Sequence, residues 1–232
     1  MAASPRAGQQ SAQRAGAPAE LGPGGRSSAG LPLRTPMERA PWPELGTALV
    51  PKERYTSADY ARREWGRMWT RTWLLAGLES DLRAPGDYLT FEIGPESVLV
   101  VRQRDGSLRA RYNVCMHRGN RLREPGVGHA ELFACMYHGW KYGIDGCLVE
   151  AVDAHSFPQG TPRERLDLRP VRVDTWGGFV FVNLDPAAAP LGEYLGVIPE
   201  HLDPYHFDEW RLSHDVTVEV DCAQVPLSDA AR

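Results

Sequence analysis

Along most of the chain the apolar positions recur every second residue, and the spacing lengthens to that of a helix in only two places. The first helical stretch runs from Thr56 to Thr72. Ser57 is a good N-cap, Asp59 sits in the first turn, and Tyr60, Trp65, Met68 and Trp69 supply an apolar stripe. From Trp73 the period changes to two, predicting short strands over Trp73–Ala76, Asp87–Ile93, Ser97–Arg102 and Leu108–Val114. Ala84-Pro-Gly-Asp, Gly94-Pro-Glu and the Asp-Gly of Arg104-Asp-Gly-Ser mark the turns between them. Further strands are expected around Leu132-Phe133, Trp140-Lys-Tyr, Val171-Arg-Val and Phe179-Val-Phe-Val, with Ile144-Asp-Gly another turn and Trp176-Gly-Gly-Phe a tight one. The second helical spacing, Ala187 to Leu202, is bounded by Pro190 and Pro199. A last strand is predicted over Leu212–Val220, after which periodicity is lost. The pattern is that of a mostly β, antiparallel domain, a small sandwich or barrel, with a helix before it and a short helical and strand connector after it.

Composition divides the chain further. Residues 1–40 are rich in Ala, Gly, Pro, Gln and Ser, and over the first 36 Arg6, Arg14, Arg26 and Arg34 face a single acid, Glu20. Such a stretch buries too little apolar surface to offset its ordering entropy, so a disordered tail is expected. Its Arg-rich, acid-poor character also resembles a transit peptide, without an amphipathic repeat, and Met37 offers an alternative start. The expected organisation is a tail over 1–40, a helical lead-in over 41–72, a β domain over 73–185 and a connector over 186–232. The net charge of −4 and the absence of a basic stripe argue against nucleic acid. No apolar run approaches the roughly 18 residues of a membrane span. Cys147 and Cys222 stand in unrelated contexts and read as free thiols of a reducing, cytoplasmic setting.

The other two cysteines carry the chemistry. Cys115-Met-His117 and Cys135-Met-Tyr-His138 each offer one thiolate and one imidazole, and each is followed by a glycine, Gly119 and Gly139. A structural zinc site usually pairs like with like, Cys-x-x-Cys and then His-x₃₋₅-His. The mixed order is that of a Rieske [2Fe–2S] centre, in which two cysteines hold one iron and two histidines the other. Cys115, His117, Cys135 and His138 are therefore the candidate ligands, on loops held by a rigid sheet.

Other polar residues have blander readings. His201-Leu-Asp-Pro-Tyr-His206 spaces two histidines beside Asp203 and Asp208, but Pro204 disrupts a helical presentation, so a connector surface is expected rather than an iron site. His129 and His155 read as exposed loop histidines, and His214 as similar on the last strand. Arg118 and Lys141 flank the ligand loops and either dock an acidic reductase or solvate the rim. Trp140 and Tyr137 are expected to shield the cluster from water.

Cys115-Met-His-Arg-Gly-Asn-Arg-Leu and Cys135-Met-Tyr-His-Gly-Trp-Lys-Tyr resemble the N-terminal Rieske domain of ring-hydroxylating oxygenase alpha subunits. Val173-Asp-Thr-Trp-Gly-Gly-Phe-Val-Phe-Val-Asn, Leu191-Gly-Glu-Tyr-Leu and the Tyr60–Trp73 helix add to the likeness. The resemblance implies a trimer-forming subunit that takes electrons from a ferredoxin or flavin reductase. It also implies a mononuclear iron(II) in a separate catalytic domain, where O₂ is activated to hydroxylate an aromatic or similar substrate. Asp221-Cys-Ala-Gln-Val-Pro stands where the family continues with Asn-Trp-Lys, and no residue matches the catalytic iron ligands, so a chain truncated before that domain, with no catalytic residue of its own, is the expectation. A stand-alone Rieske ferredoxin is the alternative. Neither loop offers the second cysteine of a bridging disulfide, and Trp140 stands where high-potential respiratory proteins carry a hydroxyl residue, which together predict a low-potential centre.

Overall fold

The computed structural model describes residues 46–152, 154–160 and 166–210. The predicted tail and the strand over Leu212–Val220 lie outside them. Among these residues, ten short antiparallel strands make two sheets. The larger has the order β1 (Leu74–Leu78), β10 (Phe179–Asn183), β9 (Pro170–Trp176), β4 (Leu108–Tyr112), β3 (Glu96–Arg102), β2 (Asp87–Ile93) and β5 (Val127–His129). The smaller is β6 (Leu132–Ala134), β7 (Lys141–Gly143) and β8 (Leu148–Glu150). The large sheet curls into a half-barrel, as the mostly β expectation requires.

Strand β3 shows why. Val98 and Val100 belong to one buried cluster, with Leu82, Leu89, Ala110, Val171, Val180 and Val182. Leu99 and Val101 point the other way, into a second cluster with Phe133, Tyr142 and Leu148 of the small sheet and with Cys115, Cys135 and Trp140. A strand buried on both faces reads as an unbroken apolar run. It forms the floor on which the smaller sheet and the two cysteine-bearing loops rest.

Two strands escaped the sequence pattern. Both β5 and β8 are only three residues long, and β5 contains Gly128, where a Cβ would lie 2.7 Å from the Tyr88 hydroxyl oxygen. Glycine is what lets the backbone come so close, and it also disguises the strand as a loop. His129 is therefore on a strand, not in a loop, and pairs with Asp87 across the ladder.

The lead-in is less regular than a single helix from Thr56. It comprises Glu53–Thr56, Ala58–Glu64 and a π-helical turn over Trp65–Trp69, closed by the Thr70 N–H to the Trp65 carbonyl at 3.2 Å. Ser57 caps the middle segment by accepting the Tyr60 N–H on its hydroxyl at 3.3 Å. After β10 come two short helices, Leu191–Leu195 and Ile198–Leu202. Leu191 and Leu195 pack on Trp73, whose indole donates to the Ala189 carbonyl at 3.0 Å.

Buried and half-buried polar side chains tie the loops to the floor. Asn113, just past β4, donates to Ser97 Oγ at 2.9 Å and to the Arg123 carbonyl at 2.7 Å, and its Oδ1 accepts the Arg123 N–H at 3.0 Å. It thereby closes the base of the loop carrying Cys115. Gln103 donates to the Ile144 carbonyl at 2.9 Å, and the Arg111 guanidinium to the Asp145 carbonyl at 2.8 Å. Those two hold the turn at the far end of the hairpin that carries Cys135.

Candidate metal centre

The two ligand segments are built on one backbone plan. In the first, the Cys115 N–H donates to the Asn120 carbonyl at 2.7 Å and the Gly119 N–H to the Cys115 carbonyl at 3.0 Å. In the second, the Cys135 N–H donates to the Trp140 carbonyl at 2.8 Å and the Gly139 N–H to the Cys135 carbonyl at 2.9 Å. Gly119 and Gly139 adopt φ of 76° and 73°, a left-handed conformation that side-chain-bearing residues adopt only at a cost. The second loop is a true hairpin tip, between β6 and β7. The first is closed by the single bridge Val114–Arg121 rather than by a ladder. Within this shared frame the histidines differ by one position, two residues after Cys115 and three after Cys135.

The loops bring all four candidate ligands together. Cys115 and Cys135 are buried free thiols, close enough to hydrogen-bond to each other. The His117 and His138 rings meet edge to face with centroids 4.7 Å apart, and Nδ1 of His117 is buried. Trp140, also buried, stacks on His117 at 4.7 Å and 7°. Tyr137 leans on His138 at 3.8 Å but is itself 60% exposed. So one shield is internal and the other faces solvent.

Burial alone would raise both thiols. At Cys135 it is outweighed by the backbone N–H groups of Tyr137 and His138, by the Cys115 thiol and by Asn120, so this sulfur ionises below the ordinary cysteine value. Cys115 is pushed up, by burial first and by the adjoining Cys135, against the Tyr142 hydroxyl and the His117 N–H that favour its thiolate. A pair of buried sulfurs ringed by N–H and O–H donors suits anionic, metal-bound thiolates. Among the described residues no group of three or more His, Cys, Asp or Glu is placed to hold one ion. A cluster with two protein ligands per iron requires no such group.

Two contributors had not been singled out for this role. Tyr142, fully buried on β7, has its hydroxyl 3.4 Å from Cys115 Sγ and accepts the Met116 N–H at 3.0 Å. Asn120 directs Nδ2 at Cys135 Sγ from 3.8 Å. Only Tyr142 carries a local hint, its parity. Tyr142 lies two residues after Trp140, so the emerging strand turns both to the same face.

The remaining candidates have other settings. Lys141 is engaged by Glu150 across the β7–β8 pair at 2.7 Å, whereas Arg118 is exposed. Asp203 accepts the Trp176 indole N–H at 3.0 Å, and His206 adopts φ 49° just beyond it. His155 lies on an exposed turn, Ala154–Ser156. Cys147 is an exposed free thiol, while Cys222 and His214 lie outside the described residues. No helix among those residues is long and apolar enough to cross a membrane.

Residues 72–161 match the Rieske [2Fe–2S] domain, which is the class that the half-barrel and its two loops define. Over about 150 residues the chain is also similar to aromatic dioxygenase alpha subunits. It is 42% identical over 150 residues to the chlorobenzene dioxygenase alpha subunit of Cupriavidus sp., covering 64% of this chain and 33% of that one. The biphenyl 2,3-dioxygenase alpha subunit of Rhodococcus jostii is 37% identical, with 64% and 32% covered. Among solved structures, a naphthalene 1,2-dioxygenase variant bound to phenanthrene superposes with a TM-score of 0.60 at 37% identity, over 63% of this chain and 33% of that one. A quaternary ammonium Rieske monooxygenase bound to gamma-butyrobetaine gives 0.67 at 31%, over 71% and 47%. The chain spans about a third of the length of the curated relatives it matches.

Proposed function

We propose that this protein is the electron-transferring Rieske part of a ring-hydroxylating oxygenase alpha subunit. It receives single electrons from a ferredoxin or flavin reductase and passes them toward a mononuclear iron oxygenase site. In this reading Cys115 and Cys135 hold one iron and His117 and His138 the other. The observation that carries it is the pair of loops with one backbone plan, each bringing a buried sulfur and an imidazole to one place.

When bound, the cluster supplies a one-electron store without bond rearrangement. The chain's own residues set the conditions. Gly119 and Gly139 allow the tight turns that aim N–H groups at the sulfurs. Trp140 excludes water from the His117 side, and Asn113, Gln103 and Arg111 keep the loops from shifting as charge changes. Half-buried His138, flanked by the exposed Tyr137 on one side, is the edge nearest a partner.

Anaerobic reconstitution followed by visible absorption, EPR and metal analysis tests the assignment. The expected result is two irons and two sulfides per chain with a Rieske EPR spectrum after reduction, lost in Cys135→Ala and His138→Ala. Stoichiometric zinc, or the spectrum of an all-cysteine cluster, refutes it. Stopped-flow reduction by a reductase tests the electron-acceptor role, and absence of any reduction by ferredoxin or flavin donors counts against it.

A further inference from the structure

No covalent bond joins the two ligand loops, since Cys115 and Cys135 are both free. Side chains cross between them instead. Tyr142, on the strand leaving the second loop, reaches the sulfur of the first. Asn120, the closing residue of the first loop, directs Nδ2 at the sulfur of the second, Cys135, from 3.8 Å. Two bonds hold Asn120 in that pose: its carbonyl accepts the Cys115 N–H at 2.7 Å, and Nδ2 also donates to the Arg121 carbonyl at 2.9 Å.

The equivalent residue of the second loop is Trp140, whose carbonyl accepts the Cys135 N–H in the same way. Equal backbones thus carry different devices five residues after the cysteine, an indole stacked on His117 and an amide aimed at Cys135. Asn120 also lines a groove of about 470 Å³ together with Tyr88, Arg121, Pro125 and Met136.

We propose that Asn120 is a positioning and potential-setting residue, its side-chain amide donating to the Cys135 sulfur and favouring the reduced form of the centre. This rests on the assignment of Cys115 and Cys135 as iron ligands. Uptake of one electron from the reductase adds one negative charge to the centre and moves no proton at Asn120. An N–H dipole aimed at a sulfur stabilises the more negative state more strongly, because hydrogen bonds to anionic acceptors are the stronger ones.

The test is an EPR-monitored redox titration of the reconstituted full chain, comparing wild type with Asn120→Leu, which removes the donor but keeps the branched shape, and Asn120→Asp, which keeps the shape but brings a carboxylate. The reduction equilibrium constant should fall about threefold in the Leu variant and about tenfold in the Asp variant, or about 28 and 59 mV for one electron. Because the four ligands stay, the Rieske EPR signature should persist in both. Midpoints equal to wild type in two variants with intact spectra overturn the proposal. Loss of the cluster from both variants, with wild type loaded, also overturns it by making Asn120 only a strap. A wild-type protein without a Rieske spectrum overturns the underlying assignment instead.

Discussion

Replacing Tyr142 by Phe removes one oxygen from a ring with no exposed surface, and two effects follow from the geometry. The first is electrostatic. The hydroxyl accepts the Met116 N–H at 3.0 Å, which leaves its own proton for Cys115 Sγ at 3.4 Å. Burial, and then the Cys115 sulfur, push the phenol well above its ordinary range, so it remains a donor at every working pH. If reduction strengthens this bond by about 0.5–1.5 kcal/mol, the usual net worth of a hydrogen bond, its loss lowers the one-electron midpoint by about 20–65 mV. The second effect is structural. The Met116 N–H loses its acceptor in a partly buried place, costing about 1 kcal/mol of stability. Anaerobic EPR titration reads the first and denaturant unfolding the second. A midpoint that stays put or rises, with stability reduced as expected, refutes the donor role. An unchanged midpoint and unchanged stability refute the hydrogen-bond geometry altogether.

Three further outcomes are expected. Gly139→Ala should destabilise the fold by about 1–2 kcal/mol through its left-handed φ and further by the Val152 methyl 3.1 Å from the new Cβ; Gly119→Ala, with φ 76° and open space, should show the strain alone, as chemical denaturation can compare. The His129–Asp87 pair at 2.9 Å raises the histidine above its ordinary 6.5, chiefly through the Asp87 bond, and lowers Asp87, chiefly through the Ala84 N–H and then His129. The histidine's contribution is full below 6.5 and lost as pH rises through its higher folded value, whereas that of Asp87 is present above 3.8 and lost as pH falls through its lower one, so His129→Gln should flatten the alkaline side of a stability–pH profile; an unchanged profile refutes it. Cys147, though exposed, is raised to about 11 by burial of its sulfur and by Asp145 and Asp167, so its iodoacetamide labelling at pH 8, followed by mass spectrometry, should be about 100-fold slower than that of a thiol of value 9.

What the sequence revealed depended on the range of each interaction. β2, β3 and β10 were legible because an alternating or continuous apolar run is a local consequence of burial on one or two faces. β5 and β8 were not: they are as short as β6 and β7 but carry no aromatic such as Phe133 or Tyr142 to mark them, and Gly128 of β5 answers to Tyr88, forty residues earlier in the chain. The lead-in helix was legible at its cap, Ser57, but not in its π-helical turn, which no side-chain period announces. The four candidate ligands stood out because Cys-x-His and Cys-x-x-His are rare local words. Tyr142 and Asn120 are ordinary residues locally, and they gain a role only when one loop lies against the other.

The same distinction bears on how the site performs. The sequence predicts a low-potential centre from two local features: no bridging cysteine in either loop, and Trp140 in place of a hydroxyl residue. The structure adds a hydroxyl from two residues further on, at Tyr142, and an amide from the opposite loop. Both act to raise the potential, and both are fixed by packing rather than by the motif. Asn113 holds the first loop through three side-chain bonds, while β3 supports both loops from below with residues buried on either face. The potential therefore follows from how rigidly the floor keeps these donors in place as charge arrives. Changes at Asn113, whose side chain bonds to Ser97 and Arg123, should move the midpoint in the same direction as Asn120→Leu, only less.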